Sequence, residues 1–158
     1  MAPRIATTTR VERDELLDLL RARRHGVLVT TRTDGTPQLS PVTFGVDDAG
    51  RVVVSTYPDR AKAVNLRHRP QASFLALGDD FDDAWVQVDG TAEVIDVPDS
   101  VEPLVEYYRA AAGQEHPDWD EYREAMLRQG KSVVRITIER WGPVATGGFP
   151  ARLVDGAS

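Results

Sequence analysis

The stretch from Val27 to Thr56, VLVTTRTDGTPQLSPVTFGVDDAGRVVVST, decides the fold. Val27 to Arg32 is rich in β-branched residues and reads as a strand. Asp34-Gly35 is a hairpin turn signal, because glycine accepts a positive φ without strain. Gln38 to Val46 reads as the returning strand. Asp47-Asp48-Ala49-Gly50 turns the chain again, and Arg51 to Thr56 is a third strand. Three strands joined without helices predict a meander, and they argue against a doubly wound parallel sheet, whose strands need crossover helices.

The pattern extends in both directions. Residues 11–24, VERDELLDLLRARR, predict an amphipathic helix with Leu16, Leu17, Leu19 and Leu20 on its apolar face. Early acids and late arginines suit its dipole, and Gly26 serves as terminator. Downstream, Asp59 to Arg69 predicts a short helix with Asp59 as N-cap and Pro70 as its end. Ala72 to Leu77 predicts a strand, Gly78 to Asp83 an acidic loop, and Trp85 to Val97 a longer strand bulged at Asp89-Gly90. Helices are expected over 99–112 and 118–129, the second capped by Asp118. Lys131 to Trp141 is the last strand, and the tail from Thr146 reads as loop. Six or so mostly antiparallel strands with short helices imply an α+β barrel.

Two stretches carry candidate chemistry. In Ser55-Thr56-Tyr57-Pro58-Asp59-Arg60-Ala61-Lys62 a strand delivers two hydroxyls, and a helix then opens with two cations. A helix start offers free N–H groups and a positive dipole end, so Arg60 and Lys62 oppose their own helix, and a bound anion relieves that repulsion. Arginine's fork and lysine's point charge suit a phosphate. The same residues also fit a solvated basic helix start with no ligand, and spacing alone favours that plainer reading. In the second stretch, Gly35 to Val42, Pro37 and Pro41 cannot donate ladder hydrogen bonds. The strand therefore belongs at a sheet edge, where its free backbone groups can face a planar heterocycle or simply guard against aggregation.

These stretches together resemble the pyridoxamine 5'-phosphate oxidase-like split β-barrel superfamily, and within it the F420-dependent flavin/deazaflavin oxidoreductases. The resemblance rests on Gly26–Thr31, Asp34–Ser40, Asp59–Arg67 with Pro70–Ser73, Asp89–Ala92 and Trp119–Arg123, in order over roughly residues 12–142. It implies an FMN-binding-like split barrel, a mostly antiparallel six-stranded barrel with short flanking helices. The barrel domain would span residues 11–145, with 1–10 and 146–158 as terminal segments. The resemblance assigns the cofactor phosphate to Arg60 and Lys62, with Ser55 and Thr56 as phosphate or ribityl contacts. It sets the ring system against Gln38, Leu39, Ser40, Pro41 and Val42. Trp85, Arg140 and Trp141 could reach across a homodimer groove. The implied activity is reduction of a small conjugated or heteroaromatic molecule by reduced coenzyme F420. An FMN-dependent oxidase or reductase of the same fold, or a non-catalytic cofactor or tetrapyrrole binder, is the alternative. Hydride would come from the cofactor, so no catalytic side chain is assigned.

Composition narrows the partners. A net charge of −6 argues against nonspecific nucleic-acid binding, which needs a basic face. No apolar run is long enough to span a membrane, and residues 1–10 lack a secretory signal's apolar stretch. Cysteine is absent, which removes thiolate chemistry and suits a reducing cytoplasm. His25, His68 and His116 are scattered, and the acidic loop lacks calcium-loop spacing, so no metal site is expected.

Overall fold

The computed structural model describes residues 3–154. The outermost parts of the expected terminal segments, residues 1–2 and 155–158, lie outside these described residues. The elements run β1 (Thr7–Thr9), α1 (Arg13–Arg21), β2 (His25–Thr31), β3 (Pro37–Thr43), β4 (Gly45–Val46) and β5 (Val52–Thr56). They continue with α2 (Ala61–His68), β6 (Gln71–Leu77), β7 (Val86–Ile95), α3 (Val101–Ala112) and α4 (Trp119–Gln129). The last are β8 (Ser132–Trp141), β9 (Val144–Thr146) and α5 (Ala151–Val154). Among the described residues no helix is long and apolar enough to cross a membrane.

Seven strands form one antiparallel sheet in the order β3-β2-β6-β7-β8-β5-β4. Its two edges, β3 and β4, are separated in the chain by Phe44 alone. Edges tied that closely must approach in space, so the sheet curls into a half-barrel around Phe44. That residue is fully buried and meets Phe74 edge-on, with centroids 4.7 Å apart and planes at 66°. The expected meander is therefore corrected. The run Gln38 to Val46 breaks at Phe44, and β5 pairs not with β3 but with β8 and β4.

Burial explains two kinds of strand sequence. In β2 and β6 buried and half-buried residues alternate, as expected with only one face on the core. In β5 the unbroken Val52-Val53-Val54 is buried on both faces. Val52 and Val54 join the main core, while Val53 packs with Leu104, Met126 and Val133 beneath α3 and α4. The bulge falls where the sequence places it, at Asp89/Gly90. Asp118 caps α4, accepting a hydrogen bond from the Glu121 N–H at 3.1 Å.

Other expectations are overturned. The first helix ends at Ala22, and Gly26 lies inside β2, where a Cβ would overlap the Phe74 ring. Close packing, not helix termination, requires that glycine. The tail is not all loop: β9 pairs with β1 in a separate two-stranded sheet, and the short α5 follows. Arg60, not Asp59, is the N-cap of α2, and it supplies no side-chain cap. Asp59 sits in the preceding turn, closed by the Arg60 N–H donating to the Tyr57 carbonyl at 3.1 Å.

Candidate cofactor site

The start of α2 is held by a network on its outer side. Arg67 donates to the Pro58 carbonyl at 2.8 Å and forks onto both oxygens of Asp96 at 2.8 Å. The Ser132 hydroxyl donates to the same carboxylate at 2.5 Å. That hydrogen bond, assisted by Arg67 and opposed by burial, holds the Asp96 carboxyl below the usual carboxylate range. Asp96 therefore stays an acceptor, and the Tyr57–Arg60 turn is anchored to β7 and β8.

Arg60 is exposed and Lys62 half-buried. Among the described residues neither has an ion-pair partner. Burial, then the charge of Arg60, pushes the Lys62 ammonium below the ordinary lysine range. A half-desolvated cation beside a second cation and a helix N-terminus is an arrangement that an anion stabilises.

A buried polar chain ties this corner to the edge strand. The Asn65 amide donates to the Thr30 hydroxyl at 3.1 Å, and that hydroxyl donates to Gln38 Oε1 at 3.0 Å. Gln38 Nε2 reaches Ser40 Oγ at 3.3 Å and the Leu39 carbonyl at 3.1 Å. Thr30 is 1% exposed and Asn65 8%. Sequence reading missed both. Their signal was a polar residue at a position where the alternation of β2 and the packed face of α2 call for an apolar one.

Strand alternation divides the other expected contacts. Gln38, Ser40 and Val42 are half-buried, while Leu39 and Pro41 point outward and are exposed. Thr56 is buried on the side of Val52 and Val54, and Ser55 follows Val53 onto the opposite face, so the two hydroxyls do not converge. Outside the sheet, Leu39 lines a groove of about 710 Å³ with Val27, Val29, Leu75, Phe81 and Trp85. Val29 and Ser73 continue it into a polar hollow of about 340 Å³ holding Asp89 and Arg140. Burial raises the Asp89 carboxyl, but hydrogen bonds from Ser73, Gln87 and Arg140 outweigh it and leave a net lowering.

Trp85 and the start of α2 are not brought together within the chain. Trp85 bridges to Ala145 at the entrance of β7, with N···O distances of 2.9 Å. The residues that meet α2 and its following loop, Ala92 and Asp96, lie at the other end of that strand. At about 3.3 Å per residue the separation from Trp85 along β7 is roughly 23 Å to Ala92 and roughly 36 Å to Asp96. Trp141, another residue considered for reaching across, instead donates its indole N–H to the Val11 carbonyl at 2.9 Å.

A half-barrel sheet curled around one phenylalanine has its counterpart in a known family. The sequence profile described as "Pyridoxamine 5'-phosphate oxidase" matches residues 13–145. The chain belongs to this family. Solved structures agree with the pyridoxamine 5'-phosphate oxidase fold. The conserved hypothetical protein Rv2991 from Mycobacterium tuberculosis is 28% identical, covering 87% of this chain and 89% of that one, with a TM-score of 0.71. A protein described as an F420 reductase is 20% identical over 79% of this chain and 94% of its own, TM-score 0.59. A heme binding protein from Mycobacterium smegmatis is 20% identical over 92% of this chain and 61% of its own, TM-score 0.64. At such identities the last two establish shared fold alone. The split barrel expected from the sequence is thus the pyridoxamine 5'-phosphate oxidase one, with seven strands in the main sheet rather than six.

Proposed function

We propose that this chain is an F420-dependent reductase of small conjugated or heteroaromatic acceptors. The observation that carries the reading is the cation couple at the start of α2, which has no ion-pair partner among the described residues, with Lys62 half-desolvated beside Arg60. Such a donor set fits the phosphate of a flavin-type cofactor. The F420 reductase among proteins of the same fold supports the choice of cofactor.

Reduced F420, when bound, supplies a hydride equivalent to the acceptor. The protein's part is positional. Arg60 and Lys62 hold the phosphate, and Ser55 or Thr56 gives one hydroxyl from whichever face the cofactor follows. The edge strand offers Gln38, Ser40 and Val42 on one side, and Leu39 and Pro41 on the other. The apolar groove beyond Leu39 keeps water from a planar acceptor.

Titrating F420 and FMN separately into apoprotein, purified from a host that makes no deazaflavin, tests the assignment. A colourless protein that takes up F420 and turns over an acceptor is expected. A yellow protein carrying FMN that ignores F420 would establish the flavin enzyme instead. Uptake with no turnover across a broad acceptor panel would mean a non-catalytic carrier.

Lys62 gives the proposal a pH signature. An anion favours the charged ammonium, so binding takes up a proton wherever the free lysine is partly neutral. Affinity should hold steady at lower pH and then weaken as pH rises through the lowered Lys62 pKa, by at most about tenfold per pH unit. Lys62→Arg keeps its charge and should abolish this loss across the alkaline range of the titration.

Trp85 enters the proposal through a second subunit. Leu39 is 58% exposed, Phe81 96% and Trp85 40%, all along one groove. We place a two-fold homodimer interface there, which would deliver the partner's Trp85 to the cofactor. Trp85→Asp should convert the dimer to monomer in sedimentation velocity. Wild-type protein that sediments as a monomer at high concentration would contradict the arrangement.

A further inference from the structure

The sequence contains nineteen basic residues, and only Lys62 and Lys131 are lysines. The fold sets Lys131 beside Tyr57, at the start of the turn that leads to Lys62. Ser132 pairs with Thr56 across the sheet, so Lys131 stands opposite Tyr57. Its Nζ lies 4.5 Å from the centre of the Tyr57 ring, and the Tyr57 hydroxyl donates to Gln129 Oε1 at 3.4 Å. Its backbone is fixed on both sides. The Lys131 N–H donates to the Met126 carbonyl at 3.1 Å, and the fully buried Ser100 hydroxyl donates to the Lys131 carbonyl at 2.7 Å. Among the described residues no carboxylate pairs with Lys131.

We infer that Lys131, steadied on Tyr57, extends the anion site beyond one phosphate and selects a cofactor whose phosphate carries further carboxylates. The inference deepens the proposed function and rests on it. Tyr57 and Arg60 bracket a single turn, with Lys131 one strand spacing from the first and Lys62 two residues past the second. A strand gap of about 4.8 Å and a turn span under about 7 Å give a row of cations roughly 10 Å long. A terminal phosphate monoester such as that of FMN spans only one end of such a row. F420 joins its ribityl chain through a phosphodiester to lactate and then to glutamates, so its carboxylates continue past the phosphate. A lysine is a compact charge with three rotatable donors, which suits carboxylates that follow one another along a flexible chain. The tyrosine face holds that ammonium by cation–π attraction without neutralising it.

The test is binding, read by fluorescence or absorbance titration of the full-length protein. The probes are F420 bearing several glutamates, the same molecule ending at the phospholactyl group, and FMN. Lys131→Gln should weaken the polyglutamyl form about tenfold and leave the other two within twofold. Lys131→Arg should restore most of the loss, and Tyr57→Leu should show a smaller loss with the same selectivity. Equal weakening of all three probes would assign Lys131 to the phosphate or to folding and overturn the inference. So would unchanged binding of the polyglutamyl form, although F420 binding itself would then stand. A parent protein that binds FMN and neither form of F420 overturns both readings together.

Discussion

The double variant Arg60→Ala/Lys62→Ala should lose cofactor binding by a hundredfold or more while remaining folded. Each cation contributes a charge-assisted hydrogen bond to a phosphate, and such bonds are worth about 1.5–3 kcal/mol apiece. Two of them amount to roughly 3–6 kcal/mol, and each 1.4 kcal/mol is a factor of ten in affinity. The loss should be insensitive to which ring system the cofactor carries. Folding should be spared because Arg60 is exposed and, among the described residues, neither side chain pairs with a carboxylate. Removing two adjacent positive charges should even relieve repulsion at the helix start. Isothermal titration, paired with a thermal melt, measures both effects. Parent-like affinity in a well-folded double variant would remove the basis of the proposed function.

Phe74→Ala should be the most damaging substitution to stability. The Phe74 side chain is fully buried, meets Phe44 edge-on, and fills the space that Gly26 leaves without a Cβ. Truncating a buried phenylalanine costs about 3–5 kcal/mol through lost transfer energy and the residual cavity. For a domain of this size each kcal/mol shifts Tm by about 2–4 °C, so a fall on the order of 10 °C is expected by calorimetry. The collapse route is restricted, because the ring is wedged between two strands, β2 and the strand that carries it, and the linker residue between the sheet edges. A drop of only one or two degrees would mean that the half-barrel does not close on this pair.

Local signals in the sequence proved informative where one residue type has one physical use. Asp34-Gly35 forms the turn, with Gly35 at φ 89°. Pro37 and Pro41 do lie in an edge strand. Asp118 caps its helix, and Asp89-Gly90 is a bulge. The sequence was silent where the answer depends on distant parts of the chain. Gly26 has the look of a helix stop until Phe74 is placed against it, forty-eight positions later. The short β4 cannot be separated from β3 by composition, because the break at Phe44 comes from sheet closure rather than from a turn signal. Strands of three residues, β1 and β9, have too little pattern to detect.

The candidate site divides in the same way. Arg60 and Lys62 drew notice as candidates because cations at a helix start run against the dipole. The hydroxyls of Ser55 and Thr56 were read as a pair, but alternation along a strand sends neighbours to opposite faces. Thr30 and Asn65 became visible only when α2 was docked, since a buried threonine and a buried asparagine satisfy each other across thirty-five positions. Lys131 carried no functional signal in the sequence, because its placement beside Tyr57 depends on the pairing of β5 with β8.

That same pairing governs how the molecule can be made. Val54 finds its partner at Val134, eighty positions further along the chain. During synthesis the valine-rich segment therefore leaves the ribosome with β4 and the early core residues on one side, but the side of Val53 stays bare until Leu104, Met126 and Val133 follow. High contact order of this kind slows folding and prolongs the exposure of sticky surface. Truncations that stop before residue 132 should accumulate as aggregates rather than as smaller soluble domains.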